Sequence, residues 1–113
     1  MSKRAVLIVD TGPAEGREDE WRKFYDEVHI PEILERVPGF VAATRYKRPA
    51  GVEVGPDDHG YCTVYEIEAD DPGACFSALT AAVQSGKLTR SEATSGRAKL
   101  TLWEETTPRA VKH

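Results

Sequence analysis

The sequence has few cysteines, no long apolar run and no excess of positive charge, and each shortage excludes a class of protein. Its two cysteines, Cys62 and Cys75, form neither a CxxC pair nor a zinc-binding spacing, so both are expected to be reduced, small apolar side chains. No segment approaches the roughly 20 apolar residues of a membrane span, and the apolar run near the start is too short for a signal peptide. We therefore expect a soluble cytoplasmic protein.

The charge balance is mildly acidic. Fifteen lysine and arginine residues are set against 19 aspartate and glutamate residues, for a formal net charge of −4, and the basic residues are dispersed. Nucleic acids and anionic membranes need clustered positive charge, so neither is expected as a partner. The three histidines show no metal-ligand spacing, and no glycine-rich phosphate cradle follows the first strand. We expect no metal and no tightly bound cofactor.

What the chain does contain is enough apolar sequence for one core. It has 113 residues, of which 40% are hydrophobic, and a chain of this size folds as one domain with little spare stability. The predicted domain covers residues 1–107, and residues 108–113 are predicted to be a flexible tail.

The apolar pattern predicts four strands, at about residues 5–9, 40–47, 60–68 and 98–104. Strict alternation in the second strand would place Phe40 and Tyr46 on the same face. Alternation in the third places Tyr61 and Tyr65 together, after a loop rich in proline and glycine at 48–58.

Two helices are predicted between these strands. The first begins near residues 14–17, because Trp21, Phe24, Tyr25 and Val28 fall at helical spacing. Pro31 is expected to end or kink it around His29 and Ile30, since proline lacks an N–H. The second follows an aspartate cap at Asp70 or Asp71 and ends at Ser85 and Gly86; its buried stripe is Phe76, Leu79, Ala82 and Val83.

The resulting order, βαββαβ, predicts an α+β, ferredoxin-like fold: a four-stranded antiparallel sheet with both helices on one face. Alternation sends about half of the strand side chains to the opposite face, so the aromatic strand residues cannot all lie beneath the helices. A second copy of the sheet would cover the remainder. The residues concerned are Phe40, Tyr46, Tyr61, Tyr65 and either Leu100 and Leu102 or Trp103.

A known family shares the most distinctive segment. The stretch WRKFYDEVHIPEILERVPGFVAATRY (residues 21–46), followed by a YxxVYEIE strand, resembles the EthD-like branch of the dimeric α+β barrel superfamily. There a W/Y-x-x-x-H-x-P segment precedes a V-P-G-[FY] turn. The resemblance implies a homodimer in which two sheets pack face to face, with an apolar cleft in each subunit and His29 near its mouth. It specifies the fold far more than the activity, since related barrels include monooxygenases, isomerases, cyclases, dehydratases and decarboxylases.

His29 is the leading catalytic candidate. Its imidazole can exchange a proton near neutral pH, and Tyr25, four residues earlier, shares its helix face. The alternative is a structural histidine that binds a backbone carbonyl left free beside Pro31.

His59, Tyr61 and Tyr46 form a second candidate group, which could line one wall and stabilise an enolate through hydrogen bonds. The alternative is that the tyrosines are packing residues and that His59 is solvated. The predicted catalytic residues are therefore His29, Tyr25 and His59. The predicted substrate-binding residues are Tyr46, Tyr61, Phe40, Tyr65 and Trp103.

Together these features predict a cofactor-independent enzyme that acts by acid/base chemistry on an aromatic or polyketide-like carbonyl compound. Cyclisation, dehydration and decarboxylation are the expected reactions. A cofactor-free monooxygenase and a non-catalytic ligand-binding homodimer are the alternatives.

Overall fold

One antiparallel sheet of four strands forms the framework in the computed structural model, which describes residues 2–53, 55, 59–94 and 98–113. The strands are β1 (Lys3–Asp10), β2 (Phe40–Lys47), β3 (Tyr61–Ala69) and β4 (Lys99–Glu104), and they lie in the order β2-β3-β1-β4. Two helical segments connect β1 to β2 and β3 to β4. The predicted ferredoxin-like βαββαβ fold is confirmed.

The first helical segment runs without a break from Glu18 to Arg36. It consists of α1 (Glu18–Phe24), a π-helical turn (Tyr25–His29) and α2 (Ile30–Arg36). The Ile30 N–H donates to the Tyr25 carbonyl oxygen, five residues back, and the backbone stays helical throughout.

Pro31 was predicted to end or kink this helix around His29 and Ile30; the helix does not end there, and its irregularity at this place is the π turn. Because proline donates no backbone hydrogen bond, the ladder must be interrupted there, and the wide turn directly before Pro31 accommodates the interruption. The π turn thus replaces the expected helix end.

The second helix, α3 (Pro72–Gln84), follows the predicted cap closely. The Asp71 carboxylate accepts a hydrogen bond from the Ala74 N–H at 3.2 Å, and Pro72 occupies the first turn. Leu79 is buried against the sheet, whereas Val83 is partly exposed. No helix among the described residues is long and apolar enough to span a membrane.

The core lies between the helices and one face of the sheet. Leu7 and Ile67 are fully buried there, and the Phe40 and Tyr65 rings meet edge to face at 5.7 Å. Burying such side chains contributes about 1.5–3 kcal/mol each relative to leaving them exposed. This face therefore supplies most of the stability of the domain.

A register shift in β2 overturns one predicted alternation. Phe40 pairs with Ile67 and Ala42 with Glu66, so an irregularity between Phe40 and Ala42 turns Phe40 toward the helices. Tyr46 pairs with Cys62 and lies on the other face. The prediction that Phe40 and Tyr46 share a face is wrong, because a bulge adds one residue to the strand and reverses the alternation.

The face opposite the helices carries exposed aromatic side chains. Trp103, opposite Val6 in the β1–β4 register, is 58% exposed, and Tyr46 is 54% exposed. Single exposed apolar residues are ordinary, but aromatic residues on an uncovered sheet face are typical of an interface. Cover by a second copy remains a prediction for this surface.

Gly39 offers a sharp test of how the helices pack on the sheet. It has a φ of +84°, and a Cβ there would lie 2.5 Å from the Sγ of buried Cys75. Gly39→Ala should therefore lower the free energy of unfolding by about 2–4 kcal/mol, from backbone strain plus overpacking. Urea denaturation measures this loss.

Gly51→Ala is the matched control, because Gly51 has the same φ of +84° with nothing within 4 Å of the added Cβ. It should cost only the backbone strain, about 1–2 kcal/mol. Equal losses in the two variants would show that the predicted clash with Cys75 is absent.

Candidate functional site

A cleft of about 330 Å³ opens between the π turn and the chain that follows α3. We name it the His29 cleft, and we name residues 87–94, which form much of its outer wall, the cap loop. The cleft is predominantly apolar and has a polar side at the cap loop. Its described lining residues are Phe24, Tyr25, His29, Val83, Leu88, Thr89, Arg90, Ser91, Thr94 and Ala98.

His29 is held in the cleft by aromatic contacts. Its ring centroid lies 5.5 Å from that of Phe24, in a stacked arrangement, and 4.8 Å from that of Tyr25. Burial lowers the pKa of His29, and the Glu32 carboxylate opposes this effect more weakly. The imidazole is therefore neutral at pH 7 and able to accept a proton.

The Nδ1 atom of His29 is buried and has no hydrogen-bond partner among the described residues. The structural alternative, in which the ring binds a free backbone carbonyl through this atom, thus finds no support in the geometry.

Tyr25 shares this environment but keeps its proton. Burial raises the pKa of the phenol, and the Arg45 charge opposes this effect to a smaller extent. At neutral pH the side chain is therefore a hydrogen-bond donor beside a neutral imidazole. The pair supplies one proton acceptor and one hydrogen-bond donor on the same helical turn.

Further polar atoms surround Tyr25 in the interior. The Thr11 hydroxyl, the Trp21 indole N–H and the Tyr65 hydroxyl are buried and lack hydrogen-bond partners among the described residues. The rings of Trp21 and Tyr25 are 4.9 Å apart, and burial raises the pKa of Tyr65. Unsatisfied buried polar groups are costly and are typical of functional sites.

Thr11 and Trp21 were missed as functional candidates. Thr11 lies just beyond the first predicted strand, and Trp21 lies on the predicted apolar stripe of the first helix. Neither pattern carries a signal for a buried polar atom without a partner.

A bidentate ion pair holds the π turn against the sheet. The Arg45 guanidinium donates from Nε and Nη2 to the two Asp26 carboxylate oxygens at 2.8 and 3.0 Å, and its Cζ lies 5.7 Å from the centroid of the Trp21 ring. We call this the Arg45 clasp. It joins β2 to the turn that carries Tyr25 and His29, so it fixes the inner wall of the cleft.

The cap loop is anchored to α2. The Glu32 carboxylate accepts hydrogen bonds from the Thr89 N–H and hydroxyl, both at 2.6 Å, and these bonds lower the pKa of Glu32. Arg36 donates to the Lys87 carbonyl oxygen at 2.9 Å. These contacts hold the outer wall of the cleft opposite His29.

The second predicted group does not join His29. Tyr61 donates a hydrogen bond to Glu18 at 2.7 Å and packs on Trp21, with ring centroids 5.0 Å apart. Together with Tyr46 it lines a separate hollow of about 230 Å³ at the sheet edge. The His59 backbone N–H donates to the Asp10 carboxylate at 3.2 Å, and His59 is not among the described lining residues of the His29 cleft.

The remaining predicted residues lie elsewhere. Phe40 and Tyr65 belong to the core beneath the helices. Trp103 lines a groove of about 430 Å³ on the opposite face of the sheet, with Val6 and Val41. Of the eight predicted site residues, the structure therefore brings Tyr25 and His29 together in the cleft.

Among the described residues, no group of three or more potential metal ligands is close enough to hold an ion.

Comparison of this chain with solved protein structures finds several that have the same architecture. MhuD from Mycobacterium tuberculosis, a heme-degrader with two hemes bound in its active site, is 23% identical over 94% of this chain and 99% of its own, with a TM-score of 0.60. An EthD-like protein from Ralstonia eutropha JMP134 is 17% identical over 97% of this chain and 98% of its own, with a TM-score of 0.60. The chain shares their fold. A candidate monooxygenase from Shewanella loihica PV-4 is 11% identical over 100% of this chain and 99% of its own, with a TM-score of 0.57.

No protein-family model and no curated protein sequence matches the chain. The resemblance to EthD-like proteins predicted from residues 21–46 is thus confirmed by structural neighbours at the level of the fold. A shared fold of this kind hosts many activities, so function has to be argued from the cleft.

The Arg45 clasp can be tested by a double-mutant cycle with Asp26→Asn and Arg45→Gln, each of which removes one charge of the pair. We expect a coupling free energy of about 0.5–1 kcal/mol, because the pair is bidentate but Asp26 is half exposed. Arg22→Gln with Asp19→Asn is the matched control: Arg22 and Asp19 form an exposed ion pair on α1 with a single 3.0 Å contact, which should show weaker coupling. Equal coupling in the two cycles would contradict a special role for the clasp.

Proposed function

We propose that this protein is a small-molecule enzyme in which His29 removes a proton from carbon next to a carbonyl group. The observation that carries the proposal is a buried, neutral imidazole, stacked on Phe24 and beside a protonated Tyr25, on the wall of a ligand-sized apolar cleft. General bases work best when their pKa lies near the working pH, where they are deprotonated and still basic enough to take a proton.

Each cleft residue has a role in this proposal. The apolar walls formed by Phe24, Val83 and Leu88 would receive an aromatic or polyketide-like ring and exclude water. His29 would take the proton, and the Tyr25 phenol would donate a hydrogen bond to the oxygen on which negative charge develops. The resulting enolate would then attack a second carbonyl group of the substrate and cyclise, or expel a β-hydroxyl group as water that carries away the proton held by His29. A β-keto acid would instead lose carbon dioxide first, which forms the same enolate, and the enolate would then take up a proton on carbon.

A cofactor-free monooxygenase is the second candidate, and the Shewanella loihica neighbour favours it. It shares the first step, because a substrate must become a carbanion before it can react with oxygen without a cofactor. The two candidates therefore differ in the fate of the enolate rather than in the role of His29. The proposal takes the functional unit to be a homodimer joined through the sheet face that carries Tyr46 and Trp103.

Heme, the ligand of the Mycobacterium tuberculosis neighbour, does not fit this cleft well. The volume of about 330 Å³ is near the lower limit of ligand pockets, which run from roughly 300 to 1,000 Å³, and a porphyrin is a large rigid ligand. We propose no step through heme.

Product analysis tests the proposal directly. The purified protein and its His29→Gln variant are incubated with a panel of aromatic and polyketide-type keto acids, and product mass is followed. We expect turnover that falls by roughly 10²–10⁴-fold in the variant, the usual contribution of a general base. His113→Gln, an exposed histidine near the chain end, is the matched control and should behave as the unmodified protein.

The mass change separates the alternatives. Loss of water or carbon dioxide, or an isomer of equal mass, supports acid/base catalysis, whereas gain of oxygen supports the monooxygenase. Turnover that survives His29→Gln would contradict the role of His29. Ligand retention by both proteins without turnover would indicate a binding protein.

A further inference from the structure

The His29 cleft has a charge opposite to that of the chain as a whole. The protein carries a formal charge of −4. The described lining of the cleft nevertheless includes one guanidinium, that of Arg90, and no carboxylate. A cleft that is cationic in an acidic protein attracts an anion through a local field rather than through net charge.

Arg90 and Ser91 also supply hydrogen-bond donors on the cationic side of the cleft. The Arg90 guanidinium donates one bond, from Nη2 to the Val83 carbonyl oxygen at 2.8 Å, which leaves most of its N–H donors for a ligand. Next to it, Ser91 Oγ accepts a bond from the Ala93 N–H at 3.1 Å, so its own O–H can donate outward. Two adjacent residues thus present donors suited to a carboxylate.

The Glu32 carboxylate, which lies close enough to act on His29, does not cancel this charge. Both Glu32 oxygens accept hydrogen bonds from Thr89, and Arg36 lies 3.7 Å from one of them. Glu32 is not among the described residues that line the cleft. Its charge is therefore already engaged by the cap loop and by α2.

We propose that the His29 cleft selects an anionic substrate, an aromatic or polyketide-like carboxylic acid whose carboxylate is bound by Arg90 and Ser91. The inference rests on the proposed function and adds the substrate class. The acid group would be fixed at the cap loop, and the ring would lie against Phe24 and Leu88. This orientation presents the reactive carbon toward His29 at the opposite wall.

Benzoate and benzamide are suitable probes, because they have nearly the same shape and differ in charge. Binding is followed by NMR titration of the imidazole signals of His29. We expect benzoate to bind at least about tenfold more tightly than benzamide, as charge-assisted hydrogen bonds to a carboxylate allow. Arg90→Gln should lower the affinity for benzoate to that for benzamide. Arg90→Lys should retain part of the preference for benzoate.

Arg22→Gln is the matched control, since it removes the same charge from an exposed position on α1 and should leave the preference unchanged. Equal binding of the two probes by the unmodified protein, or a preference that survives Arg90→Gln, would overturn the inference while leaving His29 as the proposed base. Failure of both probes to shift the His29 signals would contradict the cleft as a binding site, and with it the proposed function.

Discussion

The missing N–H of Pro31 is the constraint on which the site depends. A proline inside a helix interrupts the hydrogen-bond ladder, and here the interruption is accommodated by a π turn at Tyr25–His29. Because the helix continues, Tyr25 and His29 remain on one buried wall, with ring centroids 4.8 Å apart. The same turn directs Asp26 to the sheet, where Arg45 binds it. A residue that removes one hydrogen bond thus organises the inner wall of the cleft.

Burial then gives the two aromatic side chains complementary chemistry. It lowers the pKa of His29, because the imidazolium is disfavoured, and raises that of Tyr25, because the phenolate is disfavoured. One environment therefore produces a neutral imidazole that can accept a proton and a protonated phenol that can donate a hydrogen bond at neutral pH. The clasp on one side and the Glu32–Thr89 bonds on the other hold the two walls at a fixed separation. Arg90, on the wall of the cleft that faces solvent, supplies the positive charge of the cleft.

Local sequence patterns predicted the elements well, since hydrophobic periodicity and turn residues are local signals. Strand alternation, the stripe at Trp21 and the cap at Asp71 all correspond to the structure within a few residues. Two local irregularities escaped prediction: the bulge after Phe40 and the π turn before Pro31, each of which depends on tertiary packing. The sequence analysis predicted no role for the cap loop, because its contact with Glu32 spans 57 residues of sequence. Hydrophobic periodicity carries no information on contacts between residues so far apart in the sequence.

The protonation state of His29 tests the central claim most directly. Proton NMR of the imidazole, followed from pH 8 to pH 4, should show a midpoint below the ordinary value of about 6.5. Below pH 6.5, His29 in the unfolded chain binds a proton that the same side chain in the folded protein does not yet bind. The free energy of unfolding should therefore fall as the pH falls through this range. A midpoint at or above 6.5 would contradict the account, since the imidazole would then be solvated or ion-paired rather than a neutral base in an apolar cleft.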